Sequence, residues 1–219
     1  DIIAAARAGK RFGSNDPKQY SKLDGRSVIE RSVKPFIDSV KVSKIIIAIS
    51  KDDLEIKNQD FYNSKKIEFV FGGDTRQKSI FNALVHAKDN YDYVITHDAA
   101  RPNVIEDDIL NLLHDIEETG ASCSYLFTPV YDSIKEMYTK DKNKYHLVQT
   151  PQISKFKDLK LSLKKCIDEN IECPDESFAI EYSNLKLSKI LGDRSNIKVT
   201  EKADIEILNN FLTTNVLFR

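Results

Sequence analysis

Cysteine is scarce in this chain: there are three, Cys123, Cys166 and Cys173, and no CxxC pair. Odd in number and without metal-ligand spacing, they exclude a disulfide framework and a structural zinc site. Reduced thiols in the cytoplasm are the expectation. No apolar run approaches the ~20 residues that cross a membrane. Asp1-Ile2-Ile3 has no basic region ahead of a longer apolar stretch, so no signal peptide is expected. Charge of one sign is missing too, since 33 Lys and Arg against 34 Asp and Glu leave a formal net charge of −1. Global charge therefore does not announce a nucleic acid or an anionic membrane, and any attraction for a polyanion has to be local. There is no internal repeat, linker or low-complexity tract, and the 219 residues fit one domain, 1–219.

What is present is alternation. The β-branched runs Ile2–Ala6, Lys44–Ser50, Ile67–Phe71, Tyr93–His97, Cys123–Val130 and Lys186–Leu191 read as strands. Ile45-Ile46-Ile47-Ala48-Ile49 shows no polar alternation, which places it mid-sheet with both faces covered. Between the runs lie helix-period segments. In the first, Ser27 and Glu30 have capping-box spacing and Ile29, Val33, Phe36 and Ile37 share a face. Pro35 should kink or end it. A second helix covers about Thr75–Lys88, with Ile80, Phe81, Leu84 and Val85 inward. A third starts at the acidic turn Glu106-Asp107-Asp108 and buries Ile109, Leu112, Leu113 and Ile116. Helices near Lys155–Ile167 and Lys202–Leu212 follow. The pattern predicts an α/β fold with a mostly parallel central sheet and helices on both faces. The polar, lysine-rich stretch at about 131–149 breaks it and reads as a projecting β-hairpin arm.

Ligands of such sheets sit beyond the carboxyl ends of the strands, so the chemistry is sought there. After the first strand comes Ala4-Ala5-Ala6-Arg7-Ala8-Gly9-Lys10-Arg11-Phe12-Gly13. Small residues let backbone approach phosphates, and Arg11 and Lys18 add positive charge. The run is neither a P-loop nor GxGxxG, and alone it is equally an ordinary basic loop. In Asp16-Pro17-Lys18-Gln19-Tyr20 a rigid proline precedes Lys18, which can meet an α-phosphate or simply be a solvated lysine. Gly72-Gly73-Asp74-Thr75-Arg76-Gln77-Lys78-Ser79 opens a backbone that can read a base edge, with Ser79 near a ribose or base. A plain strand–turn–helix link explains the same glycines. In His97-Asp98-Ala99-Ala100-Arg101-Pro102, Asp98 suits Mg²⁺, which takes one or two carboxylates with phosphate oxygens and water. Arg101 can grip a phosphate by its fork, while His97 reads as structural. Asp132-Ser133-Ile134-Lys135, Thr150-Pro151-Gln152 and Asn196-Ile197-Lys198-Val199-Thr200 can each serve a second phosphate or a turn.

Taken together and in this order, these segments resemble the 2-C-methyl-D-erythritol 4-phosphate cytidylyltransferases over nearly the whole chain. The resemblance implies a Rossmann-like nucleotidyltransferase fold, Mg²⁺ as cofactor, and a homodimer joined through the arms. It implies transfer of CMP from CTP to methylerythritol phosphate, with release of pyrophosphate, in non-mevalonate isoprenoid synthesis. By the same resemblance Arg11, Lys18 and Lys198 are catalytic, and Ala5, Ala6, Gly73, Asp74, Ser79 and Ala99 meet the nucleotide. Asp98 holds the metal, and Arg101, Ser133, Lys142 and Thr150 meet the substrate phosphate, Lys142 by reaching a partner's site. Departures stand out. Arg7 replaces a glycine, Ser133 a threonine, Lys142 an arginine, and Pro174 a threonine ahead of Asp175-Glu176. A ribitol-5-phosphate cytidylyltransferase is the alternative polyol reading, although His97–Pro102 and Asp175-Glu176-Ser177 look more like the methylerythritol branch. A catalytically impaired nucleotide-binding homologue, with Arg7 as the lesion, is the other.

Overall fold

In the computed structural model, which describes residues 1–6, 17–88 and 91–213, seven strands form one sheet. They are β1 (Ile2–Ala4), β2 (Ile45–Ile49), β3 (Ile67–Phe71), β4 (Tyr93–Asp98), β5 (Cys123–Pro129), β6 (His146–Lys155) and β7 (Leu187–Leu191). Their order across the sheet is β7-β5-β6-β4-β1-β2-β3. Every neighbouring pair is parallel except those made by β6, which runs against both β4 and β5. β2 is buried along its whole length, as its unbroken apolar run requires.

The helices are α1 (Val28–Asp38), α2 (Arg76–Ala87), α3 (Glu106–Thr119), α4 (Phe156–Asp168), α5 (Glu176–Tyr182) and α6 (Lys202–Thr213). One face of the sheet packs under α1 and α3 through Ile29, Val33, Phe36, Ile109, Leu112 and Ile116. The other packs under α2, α4 and α5 through Ile80, Leu84, Leu159, Leu163, Ala179 and Ile180. A smaller cluster of Leu23, Val28, Ala100, Val199 and Leu208 ties the C-terminal region to the strand ends.

Three expectations are corrected here. Pro35 does not end α1, which runs on to Asp38, because Phe36 beyond the proline is fully buried against the sheet. Its start is as expected, with Ser27 Oγ accepting from Glu30 N and Glu30 Oε2 accepting from Ser27 N. Val85 is 51% exposed and lies off the inward face of α2, which continues from Leu84 to the partly buried Ala87. Residues 146–149 belong to the sheet: His146 pairs with Pro129 and Gln149 with Leu126. The arm is thus the shorter stretch between β5 and β6, a two-residue ladder of Ile134–Lys135 on Thr139–Lys140 followed by a turn at Lys142–Lys144. Among the described residues, no helix is long and apolar enough to cross a membrane.

Candidate functional site

β4 ends on Asp98, and its last residues are all buried. The sheet's hydrogen bonding continues just past it, where Ala99 N donates to Ala4 O. Ala99 O in turn accepts from Ser32 Oγ of α1. Asp98 therefore stands on a backbone fixed from both sides.

Three cations converge on this carboxylate. Arg76 Nε is 2.8 Å from Oδ1, Lys198 Nζ is 2.7 Å from Oδ2, and Arg101 Nε is 3.8 Å from Oδ2. Burial pushes the Asp98 pKa up, but the field of Arg76, Lys198 and Arg101 outweighs it and holds the group well below the usual carboxylate range. Asp98 is an anion at any physiological pH. Arg76 is anchored further by Glu176, with Nη1–Oε1 at 2.6 Å and Nη2–Oε2 at 3.1 Å. Thr96 Oγ1 donates to the same Glu176 Oε2 at 2.7 Å. Burial alone would lower the Arg76 pKa; Glu176 and Asp98 more than reverse this, so the guanidinium stays charged.

Behind the carboxylate runs a short relay of neutral groups. Asp98 N donates to Thr150 Oγ1 at 3.1 Å. Thr150 Oγ1 lies 3.2 Å from His97 Nδ1, and His97 Nε2 lies 3.1 Å from Arg101 O. A carbonyl only accepts, so the partners assign the ring proton to Nε2 and leave Nδ1 to accept from the threonine hydroxyl. Burial lowers the His97 pKa to about 4. The imidazole is a neutral structural element, as its sequence reading anticipates.

The C-terminal loop reaches the cluster through backbone contacts. Asn196 Nδ2 donates to Thr150 O, Arg101 Nη1 donates to Asn196 O at 2.7 Å, and Val199 N donates to Ala100 O. Lys18 Nζ donates to Val199 O at 2.7 Å. Lys18, Asp98, Arg101, Thr150 and Lys198 are thus one connected set, drawn from four separate stretches of chain. Arg101 turns its fork on protein carbonyls, including Val148 O at 3.5 Å. Thr150 is buried, with its hydroxyl spent on Asp98 and His97.

The glycine turn lies beside this set. An added Cβ on Gly72 would stand 2.4 Å from Ala6 Cβ and 2.7 Å from Ser79 Oγ, a space that only glycine fits. Ser79 is buried; Gly73 N donates to its hydroxyl, which itself donates to Thr75 O. It shapes the turn from within. Asp74 is exposed and paired with Lys78 at 3.0 Å. Ala5 is buried, its carbonyl accepting from Gln19 Nε2, and Ala6 is half-buried.

Ser133 and Lys142 are not part of this set. Both are exposed on the arm, where Lys142 Nζ donates to Tyr131 O. Arg7 and Arg11 lie outside the described residues. Arg76 and Glu176 have no role in the sequence reading, although both stand inside segments it singles out. The pair is 100 residues apart in sequence, and only the fold brings them together. Among the described residues no three His, Cys, Asp or Glu side chains cluster as a protein-built metal site. A cation here would rest on Asp98 and draw its other oxygens from a ligand, the pattern of a magnesium–nucleotide complex.

Comparison with known proteins adds three findings. The family model for 2-C-methyl-D-erythritol 4-phosphate cytidylyltransferase matches residues 1–214. Proteins of that name from Wigglesworthia glossinidia brevipalpis and Actinobacillus pleuropneumoniae serotype 7 are 36% and 33% identical. The alignments cover 96% and 98% of this chain and 94% and 96% of the relatives. The crystal structure of the Francisella tularensis enzyme of the same name superposes with a TM-score of 0.82 at 31% identity, over 95% of this chain and 96% of that one. The 4-diphosphocytidyl-2C-methyl-D-erythritol synthase of Anaerococcus prevotii superposes at 0.84 with 26% identity, over 97% and 94%.

Proposed function

Since this chain belongs to the 2-C-methyl-D-erythritol 4-phosphate cytidylyltransferase family, we propose that its chemistry is carried by the Asp98 cluster at the carboxyl ends of β1 and β4. The reaction transfers the cytidylyl group of CTP to 2-C-methyl-D-erythritol 4-phosphate and releases pyrophosphate. The observation that carries the assignment is the ring of Arg76, Arg101 and Lys198 around one buried carboxylate, with Lys18 tied to the same loop.

A phosphate oxygen of the polyol substrate attacks the α-phosphorus of CTP, a P–O bond forms, and the bond to pyrophosphate breaks with the electron pair leaving on the β-phosphate. The nucleophile is already an anion, so no general base is required, which fits a neutral, buried His97. The protein's work is to align two polyanions and to offset the charge that builds on the α-phosphate. Lys198 suits this work, because its side chain is 43% exposed and its ammonium can exchange Asp98 for a phosphate oxygen. Lys18 is tied to the same loop through Val199 O, and Arg11 is assigned to the triphosphate with it. Thr150 and Arg101 act by fixing Asp98 and the 195–199 loop. Gly72, Gly73 and Ser79 keep a narrow turn for the cytosine and ribose, with Ala5, Ala6, Asp74 and Ala99 along the nucleotide.

Mg²⁺ is the cofactor we assign; Asp98 would hold it, and it would withdraw charge from the triphosphate. Asp98 Oδ2, whose partner Lys198 is the most exposed of the three cations, is the oxygen that would take it.

A homodimer through the arm is also part of this reading. Met137 and Tyr138 are 79% and 75% exposed, and Tyr131 and Leu147 also face solvent. Large apolar groups on a lysine-rich arm are best explained by burial against a second copy, which would bring Ser133 and Lys142 to a partner's substrate phosphate. A reducing, cytoplasmic setting agrees with three free, buried cysteines.

The test is pyrophosphate release with each of four nucleoside triphosphates against methylerythritol phosphate and ribitol phosphate. Turnover is expected with CTP and methylerythritol phosphate. Preference for ribitol phosphate, or binding of CTP with no turnover, would overturn the reading.

A further inference from the structure

Arg76 stands between two carboxylates that have nothing else in common. Its Nε faces Asp98, and both terminal nitrogens are taken by Glu176. Glu176 is 1% exposed and is fixed in turn by Thr96 Oγ1 on β4, two residues before Asp98. Its neighbour Ser177 N donates to Gln152 Oε1 of β6, and Asp175 caps α5 by accepting from Phe178 N. Glu176 is therefore fixed by Arg76 of α2 and Thr96 of β4, while the helix that carries it is tied to β6 through Ser177.

The consequence lies in the local balance of charge. Three cations face two carboxylates. Without Glu176, the whole charge of Arg76 would fall on Asp98, which would then be over-neutralised. With it, Arg76 is matched from behind, and Asp98 Oδ2 keeps its attraction for a positive group arriving from the cleft. We propose that Glu176 is a positioning residue which, by engaging both terminal nitrogens of Arg76, preserves the negative charge of Asp98 and so sets how strongly the site holds a divalent cation. This rests on the reading of Asp98 as the cation ligand. Glu176 touches neither substrate nor metal and acts through Arg76 alone.

A neutral residue of the same shape at 176 should split metal from nucleotide. The site becomes more positive, so metal-free CTP binds as well as before or better, while a divalent cation binds worse. In Glu176→Gln, half-maximal pyrophosphate release should need roughly tenfold more Mg²⁺, the low end of what an opposite charge within ~6 Å does to a neighbouring ionisation. The kcat at saturating Mg²⁺ should fall much less. Mn²⁺ binding, followed by electron paramagnetic resonance with a non-hydrolysable CTP analogue present, should weaken by the same factor independently of turnover. Thr96→Val, which leaves Glu176 in place but untethers it, should shift both readouts in the same direction by less, and serves if the Gln variant fails to fold. Asp98→Asn is the control. If it weakens Mn²⁺ binding while Glu176→Gln and Thr96→Val do not, the inference is wrong and the Asp98 reading stands. If Asp98→Asn leaves Mn²⁺ binding unchanged, both fall.

Discussion

Lys198 Nζ lies 2.7 Å from Asp98 Oδ2, with the lysine half in solvent and the carboxylate buried. This asymmetry makes the lysine the mobile partner. An exposed ammonium gives up such a contact at little cost, because water replaces it. Lys198→Ala should therefore lower kcat by roughly 10² while the unfolding midpoint moves little. Steady-state pyrophosphate release beside a thermal melt checks both; a large drop in the melt with normal kcat would make Lys198 a structural residue.

Lys18 is anchored differently, through the carbonyl of Val199. Its removal takes a cation from the transition state and also loosens the loop that carries Lys198. Lys18→Ala is expected to lose ~10²–10³ in kcat with a smaller rise in KM. Because the two lysines share this loop, the Lys18→Ala, Lys198→Ala double variant should lose less than the product of the single effects. Multiplicative losses would show them to act independently.

His97 makes the fold sensitive to acid. Its pKa is about 4 in the folded protein against 6.5 for an ordinary histidine. Between those values the unfolded chain binds a proton that the folded chain does not. The stability from a neutral His97 is thus fully present above about pH 7 and is lost as pH falls toward 4, on the order of 3 kcal/mol at ~1.4 kcal/mol per unit. Asp98, depressed in the folded state, adds a further loss below the ordinary carboxylate range. Urea titrations at pH 7 and pH 5 should show the decline, and His97→Gln, which keeps one donor and one acceptor, should flatten it.

Gly72 has no room for a side chain. Gly72→Ala should push Ser79 and Ala6 apart and cost about 1–3 kcal/mol, the range for overpacking a tight site. The turn that Ser79 braces would shift with it, so CTP should also bind more weakly. Calorimetric titration with CTP and a urea midpoint measure the two effects, and unchanged values in both would show that the turn yields freely.

Met137 and Tyr138 give a test of the arm. Met137→Glu with Tyr138→Glu places charge where apolar contact with a second copy is proposed. Sedimentation velocity should then show a monomer in place of a dimer, with activity reduced because Ser133 and Lys142 no longer reach a partner's substrate. An unaltered sedimentation coefficient would remove the arm from the interface.

Local signals carried much of this architecture into view. The apolar runs that became β2, β3 and β4 have β-branched residues and clear ends, and the acidic start of α3 and the capping box of α1 are written in adjacent residues. β6 was harder. Its first residues follow a polar arm without a break in composition, so His146–Gln149 reads as arm until pairing with β5 decides otherwise. α5 was missed because seven residues span too few turns to show a period. At the site, Lys18, Asp98 and Lys198 stand in segments whose chemistry is visible locally. Arg76 and Glu176 form a pair only across the fold, and no spacing along the chain announces it. Ser79 and Thr150 show the opposite limit, since a hydroxyl in a sequence does not say whether it points to a ligand or into the protein.

The interruption in β6 has a consequence of its own. Between Gln149 and Gln152 the pairing with β5 slips, and Thr150 gives its carbonyl to Asn196 and its hydroxyl to Asp98 instead of to a straight ladder. A more regular strand would satisfy β5 better, but it would cost the C-terminal loop its tie to β6 through Asn196 and take the threonine hydroxyl from Asp98 N. Selection for the smoothest possible weave and selection for turnover therefore pull this short stretch in opposite directions. Stabilising substitutions gathered without regard to activity should accumulate readily elsewhere in the sheet and do harm here.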